Sequence, residues 1–202
     1  MADDGDGAAP LAALVLATGN PGKVAELIDL LGDRYRVMAR PADLPDTVED
    51  GDTLEANAIK KAVEVSASTG AAALADDTGL FVDAIGGRPG VRTARYAGPD
   101  ADDQANRAKL LDELSGVEGA ARRAEFRTVV ALVRPDGSSL LADGRVEGVI
   151  ADAVRGERGF GYDPLFVPVE GDGRTFAEMA LDEKQALSHR ARALTALLDR
   201  LA

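Results

Sequence analysis

"LAALVLATGNPGKVAELIDLL", residues 11–31, decides the fold. Its first seven residues, Leu11–Ala17, form a continuous apolar run, the pattern of a strand buried on both faces. From Val24 the apolar residues Val24, Leu27, Ile28, Leu30 and Leu31 recur at helical spacing, and Gly32 supplies a stop. Between strand and helix stand Thr18, Gly19, Asn20, Pro21, Gly22 and Lys23. Such a turn presents backbone N–H groups at the positive end of a helix, with an ammonium beside them, and that arrangement binds phosphate. It is not a Walker A loop. Only Asn20 and Pro21 separate Gly19 from Gly22-Lys23, and Val24 stands where that motif carries its Mg²⁺-binding hydroxyl. Strand–glycine–helix turns without a ligand are also common, so the stretch alone leaves a plain connection open.

Outward from this unit, "YRVMA" (35–39) reads as a second strand and "RPADLPDTVEDGDTLE" (40–55) as a polar loop. A helix is predicted over Thr53–Thr69, ended by Gly70. "AAALADDTGLFVDAIGG" (71–87) reads as strand, acidic turn and a second short apolar segment, with a helix following over Asp102–Leu114. "AEFRTVVALVRPDGSSLLADGRVEGVI" (124–150) is two β-rich runs joined by the turn signal "RPDG". The glycine-rich "RGERGFGYDPLF" (155–166) precedes a C-terminal helix with Leu194, Leu197, Leu198 and Leu201 on one face. Strand–helix alternation followed by a hairpin predicts one α/β domain over residues 11–202, a mixed sheet with helices packed on it. Residues 1–10, "MADDGDGAAP", are expected to be a disordered acidic tail.

Composition narrows the function. The formal net charge is −12, which argues against a nucleic-acid polymer as partner, since backbone phosphates require a basic surface. With no cysteine, disulfides, thiolate catalysis and cysteine-held metals drop out. No apolar stretch approaches a membrane span, and the acidic start is unlike a signal peptide's basic one, so a cytoplasmic protein is expected.

Three further stretches carry chemistry. In "LADDTG" (74–79), Asp76 and Asp77 follow an apolar strand, where α/β sheets place ligands and where Mg²⁺ finds one or two carboxylates. Their side chains should point opposite ways, one into the site and one away. An Asx-turn is the competing reading. Glu49 and Glu55 are additional carboxylate candidates. In "GFGYDP" (159–164), Phe160 and Tyr162 offer a flat apolar surface for a nucleobase, unless both rings belong to the core. In "DEKQALSHRARAL" (182–194), Ser188 is a fitting N-cap, which sets His189 and Arg190 in the first helical turn with Lys184 upstream. Cations there oppose the helix dipole and suggest service to a ligand; a solvated histidine and a surface arginine are the plainer alternative.

Taken together, "TGNPGK", "ADDTGL", "GGRPGVRTARYAG", "GFGYDP" and "EK…SHR" resemble, in order and spacing, the inosine/xanthosine triphosphate pyrophosphatase family, from about Leu14 to Leu201. The resemblance implies Mg²⁺-dependent hydrolysis of damaged purine nucleoside triphosphates (dITP, ITP, XTP) to monophosphate and pyrophosphate. It implies an elongated α/β fold, two lobes about an active-site cleft, and a homodimer. By motif, Thr18, Gly19, Asn20, Pro21, Gly22, Lys23 and Lys61 would hold the triphosphate. Asp77 would be general base or metal ligand, with Asp76 beside it, Glu49 as a metal-binding glutamate and Thr78 touching substrate. Phe160, Gly161, Tyr162, Asp163, Lys184, His189 and Arg190 would form the base pocket. The chain departs from the pattern at Ala191, where many relatives have glycine, and in its longer acidic N-terminus.

This assignment agrees with the charge argument. A −12 protein repels a triphosphate unless Mg²⁺, Lys23, Lys61, Lys184 and Arg190 restore complementarity locally. Another base preference, such as modified pyrimidines, or a non-catalytic nucleotide-binding regulator are the rival readings.

Overall fold

The computed structural model describes residues 11–201; the acidic tail expected at residues 1–10 lies outside them. Among the described residues seven strands form one mixed sheet. They are β1 (Ala13–Leu16), β2 (Arg36–Met38), β3 (Ala72–Val82), β4 (Arg88–Gly90), β5 (Arg123–Val133), β6 (Ser139–Ile150) and β7 (Phe166–Pro168). The order is β2-β1-β3-β5-β6-β7, with β4 also pairing β3. β2, β1 and β3 are parallel; β5, β6, β7 and β4 join antiparallel. Among the described residues there are five α-helices, α1 (Pro21–Leu31), α2 (Leu54–Thr69), α3 (Asp103–Glu113), α4 (Leu181–Leu187) and α5 (His189–Asp199).

Local rules account for most boundaries. Thr53, Asp102 and Ser188 cap α2, α3 and α5, each side-chain oxygen accepting a backbone N–H three residues on. Gly70 ends α2 in the left-handed conformation that only glycine adopts freely. The "RPDG" turn joins β5 to β6 as expected, with the Gly137 N–H donating to the Arg134 carbonyl.

Residues 71–82 depart from the expectation of strand, acidic turn and apolar segment. β3 is a single strand of 11 residues, in register with β5 from Ala73↔Val133 to Val82↔Ala124. Asp76 and Asp77 therefore stand mid-strand rather than in a turn or at a strand end. Continuous ladder bonding outweighs the turn preference of Asp, Thr and Gly. The C-terminal stretch also differs, since α4 precedes the expected helix and Ser188 separates the two.

Alternation along β3 and β5 sorts the core. On the face toward α1 and α5, Leu74, Val130 and Leu132 pack with Leu14, Leu27, Leu31, Leu194 and Leu197. Opposite, Ala73, Ala75, Val129 and Ala131 pack with Leu54, Ala58, Ala62 and Val65 of α2. Further along the sheet, Leu80, Val82 and Phe126 join Leu110, Leu114, Phe166 and Phe176 in a third cluster. Between Leu74 and Leu80 on the α5 face come Asp76 and Thr78, and between Val130 and Phe126 comes Thr128. The two threonine hydroxyls lie 2.6 Å apart. A polar band thus crosses the sheet between two apolar clusters, and the candidate site is built on it.

Candidate active site

β1 stops at Leu16, opposite Leu74, while β3 runs on past it and carries Asp76–Thr78 beyond the end of its parallel neighbour. The chain leaving β1 turns straight into α1. Asn20 is the N-cap, its side-chain oxygen accepting the Lys23 N–H at 3.1 Å, and Pro21 occupies the first helical position, where a missing N–H costs nothing. At Gly19 no atom lies within 4 Å of where a Cβ would stand, so the turn is open to the cavity. Gly22 is different: a Cβ there would come 2.3 Å from the Phe160 ring. Its smallness admits that ring against α1.

The two aspartates do point opposite ways. Asp77 faces α2, accepting from Lys61 Nζ at 2.8 Å and from Asn57 Nδ2 at 3.2 Å. The same ammonium donates to Glu49 Oε1 at 2.8 Å, and Arg95 Nη1 donates to Glu49 Oε2 at 3.2 Å. Burial pushes the Asp77 carboxyl above the usual carboxylate range, and Lys61 offsets this only in part. Burial pushes Glu49 the same way, but Lys61, Lys23 and Arg95 prevail and hold it below that range. Lys61, though buried, is raised because Asp77, Asp76 and Glu49 surround it.

Asp76 faces α1 and α5. Its Oδ2 lies 3.0 Å from Lys23 Nζ and accepts from Arg190 Nε and Nη2 at 3.2 and 3.1 Å. Burial opposes its charge, but Lys23 and Arg190 hold its carboxyl far below the usual range. Its other oxygen, Oδ1, is buried without a partner among the described residues. Arg190 also donates to Thr78 Oγ1 at 3.2 Å and to Glu26. Glu26 accepts from Lys184 Nζ at 2.6 Å, and Lys184 donates to Asp163 Oδ2 at 2.5 Å. Glu26, Asp76, Asp163, Lys184 and Arg190 are all buried, so the polar band is a closed set of alternating charges.

Arg190 and His189 are therefore neither surface nor solvated groups. His189 stacks on Phe126 with centroids 4.5 Å apart and planes at 15°. Burial, with Arg190 and Lys184 nearby, keeps the imidazole neutral, and its Nδ1 has no partner among the described residues. The two aromatics of "GFGYDP" divide. Phe160 is partly exposed, with Lys184 Nζ 5.1 Å and the Arg190 guanidinium 5.4 Å from its centroid. Tyr162 belongs mainly to the third cluster, its hydroxyl donating to the Thr93 carbonyl at 3.1 Å. Gly161, with φ of +58°, presents its N–H to Asp103 Oδ2 at 2.6 Å, and Asp163 Oδ2 accepts the Phe160 N–H at 3.0 Å.

These groups line two adjoining cavities. One is walled by Phe126, Phe160, Tyr162 and His189, with Asp77, Thr78 and Arg190. The other is walled by Thr18, Gly19, Lys61 and Arg40. Asn20, Lys23 and Glu49 line both. An aromatic slot thus adjoins a cationic one, with the Glu49 carboxylate on their shared wall.

Among the described residues no three Asp, Glu or His side chains converge on one point. Asp77 and Glu49 nevertheless reach the same ammonium, so their oxygens lie no further apart than twice 2.8 Å. Two hard oxygen donors on the wall of one cavity fit Mg²⁺, which asks no more of a protein when phosphates and waters complete its shell. Asp76 lines neither cavity; its place is as counter-ion to Lys23 and Arg190. Glu55 is outside the site, paired with Arg127 at 2.5 Å.

Sequence reasoning missed Glu26, Asn57, Arg95 and Asp103. Glu26 had a signal: it shares the helical face of Lys23, Leu27 and Leu30, where an acid is out of place unless paired. Arg95 sits inside a motif already singled out and Asn57 within the helix predicted over Thr53–Thr69, but nothing local indicates that they orient Glu49 and Asp77.

Comparison with known proteins places this arrangement. The Ham1 family model matches residues 14–200, which include every site residue from Thr18 to Arg190. A dITP/XTP pyrophosphatase of Shouchella clausii (strain KSM-K16) is 48% identical over 186 residues, covering 91% of this chain and 93% of the relative. A dITP/XTP pyrophosphatase of Thermus thermophilus is 50% identical over 188 residues, covering 92% and 90%. Among solved structures, a HAM1 protein from Coxiella burnetii has a TM-score of 0.84 at 40% identity, over 95% of this chain and 98% of that one. Fold, motif order and near-complete coverage agree, and the chain belongs to the Ham1 family.

Proposed function

We propose that this protein hydrolyses the damaged purine nucleoside triphosphates dITP, ITP and XTP to the monophosphate and pyrophosphate, with Mg²⁺, and so clears them from the nucleotide pool. The observation that carries the reading is the adjoining of an aromatic cavity and a cationic one, with Glu49 on the wall they share and Asp77 on the aromatic side, bonded to Lys61 of the cationic side. That matches the layout of the substrate, a flat base at one end and phosphates at the other.

The base would lie against Phe160 and near His189. The phosphates would meet the N–H groups of the Thr18–Lys23 turn and the Lys23 and Lys61 ammoniums. Asp77 would accept a proton from the attacking water, its carboxylate held in place for this by Lys61 and Asn57. Glu49 and Asp77 would hold Mg²⁺, which when bound supplies charge neutralisation at the phosphate oxygens. Phosphoryl transfer of this kind depends on positioning and electrostatics and needs no nucleophilic side chain. Lys184 and Arg190 act from behind, fixing Asp163 and Asp76 and thereby the walls of the slot.

Support for the substrate class comes from the relatives named above, described as dITP/XTP pyrophosphatases. A homodimer working in the cytoplasm belongs to the same proposal; among the described residues no helix is long and apolar enough to cross a membrane. Incubation with dITP, ITP, XTP, ATP, GTP and a modified pyrimidine triphosphate, with and without Mg²⁺, tests it. The expected products are monophosphate and pyrophosphate from the first three, only with the metal. Orthophosphate release, or equal rates on ATP, would overturn it. Sedimentation in solution tests the dimer.

A further inference from the structure

Arg40 follows β2 and lines the cationic cavity but not the aromatic one. Asn20, Lys23 and Glu49 line both. The order along the site is therefore aromatic slot, shared residues, then Arg40.

Arg40 differs from the two lysines in its pairing. Lys23 and Lys61 lie 3.0 and 2.8 Å from the buried carboxylates of Asp76 and Asp77. The Arg40 side chain is only 13% exposed, yet its nearest carboxylate, Asp46 at 3.5 Å, is 97% exposed and thus largely screened. Among the described residues its single hydrogen bond runs from Nη2 to the Pro45 carbonyl. Among the described residues Nε and Nη1 have no acceptor. A mostly enclosed guanidinium with part of its planar fork unengaged, on the wall of a cavity holding two ammoniums, suits paired phosphate oxygens.

We infer that Arg40 binds the terminal phosphates of the substrate, the part that leaves as pyrophosphate. The inference rests on the function proposed above. With the base in the aromatic slot and the α-phosphate at the shared residues, the β- and γ-phosphates extend toward Arg40. Water oxygen bonds to the α-phosphorus, and the bond from that phosphorus to the α–β bridging oxygen breaks. Its electron pair stays on the departing pyrophosphate, and the water proton passes to Asp77 and then to solvent. Arg40 stabilises the charge that accumulates on the leaving group.

Calorimetric titration of inorganic pyrophosphate with Mg²⁺ into wild type, Arg40→Ala and Arg40→Lys tests this, with inosine monophosphate as the comparison ligand. Arg40→Ala is expected to weaken pyrophosphate binding at least about tenfold, Arg40→Lys less so, and neither to move monophosphate affinity by more than about twofold. Pyrophosphate should also become a poorer product inhibitor of dITP hydrolysis by Arg40→Ala. Equal pyrophosphate affinity in wild type and Arg40→Ala, no pyrophosphate binding by wild type, or parallel loss of both ligands overturns the inference. If Arg40→Ala melts below the assay temperature, Arg40→Gln, which keeps a donor for the Pro45 carbonyl, decides by the same criteria. Failure of wild type to convert dITP would instead overturn the proposed function; normal conversion with Arg40→Ala unchanged in pyrophosphate binding would overturn only this assignment.

Discussion

Lys61 Nζ lies 2.8 Å from Asp77 Oδ1 and 2.8 Å from Glu49 Oε1, so one buried ammonium serves two carboxylates from different elements. Asn57 holds the second oxygen of Asp77 from the adjacent turn of α2. Asp77 is thereby fixed in position, as a proton acceptor must be.

Asp77→Asn preserves shape and removes that acceptor. Turnover of dITP is expected to fall by about 10²–10⁴ at saturating Mg²⁺, with the circular dichroism spectrum unchanged. A wild-type kcat in the variant would mean that another group takes the proton.

Arg190→Ala is expected to damage the fold as well as the site. The guanidinium engages Nε, Nη1 and Nη2 with Asp76, Glu26 and Thr78, so its removal leaves two buried carboxylates short of countercharge. Breaking a buried pair this way costs about 3–5 kcal/mol. Denaturant unfolding measures it, and a loss below about 1 kcal/mol would show that the band tolerates an unpaired charge.

Glu26 gives the band a pH dependence. Burial would raise its carboxyl, but Arg190 and Lys184 outweigh burial and hold it below the usual range. A group depressed on folding stabilises in full above its unfolded pKa and loses that contribution as pH falls through the folded value. Melting temperatures of wild type and Glu26→Gln should therefore differ most near neutral pH and converge in acid, below about pH 4. A gap independent of pH would assign the effect of the substitution to packing.

Gly22→Ala should act on binding rather than stability. The added methyl would sit 2.3 Å from the Phe160 ring, which is partly exposed and can swing aside. KM for dITP is expected to rise several-fold, about 1 kcal/mol of lost base stacking, with little change in melting temperature. An unchanged KM would remove Phe160 from the base slot.

The strand–turn–helix at residues 11–31, the β5–β6 hairpin, the helix starts at Thr53 and Asp102 and the cap at Ser188 were legible because each depends on neighbours a few residues apart. So were the short motifs that hold most of the site. The acidic pair in "LADDTG" was legible as chemistry but misread as a turn. Its residue types favour turns locally, and only pairing with β5, more than 40 residues on, keeps the strand going.

By itself the sequence determined the α/β class, the placing of β1, α1, α2, α3, the β5–β6 hairpin and α5, and which side chains could bind a charged ligand, since periodicity and turn chemistry are short-range. The tertiary structure alone decided how those charges are paired. Glu26 meets Lys184 and Arg190 across 158 and 164 residues, and Asp76 meets Arg190 across 114. A buried charge is tolerable only beside its partner, and no local pattern records which distant residue that partner is.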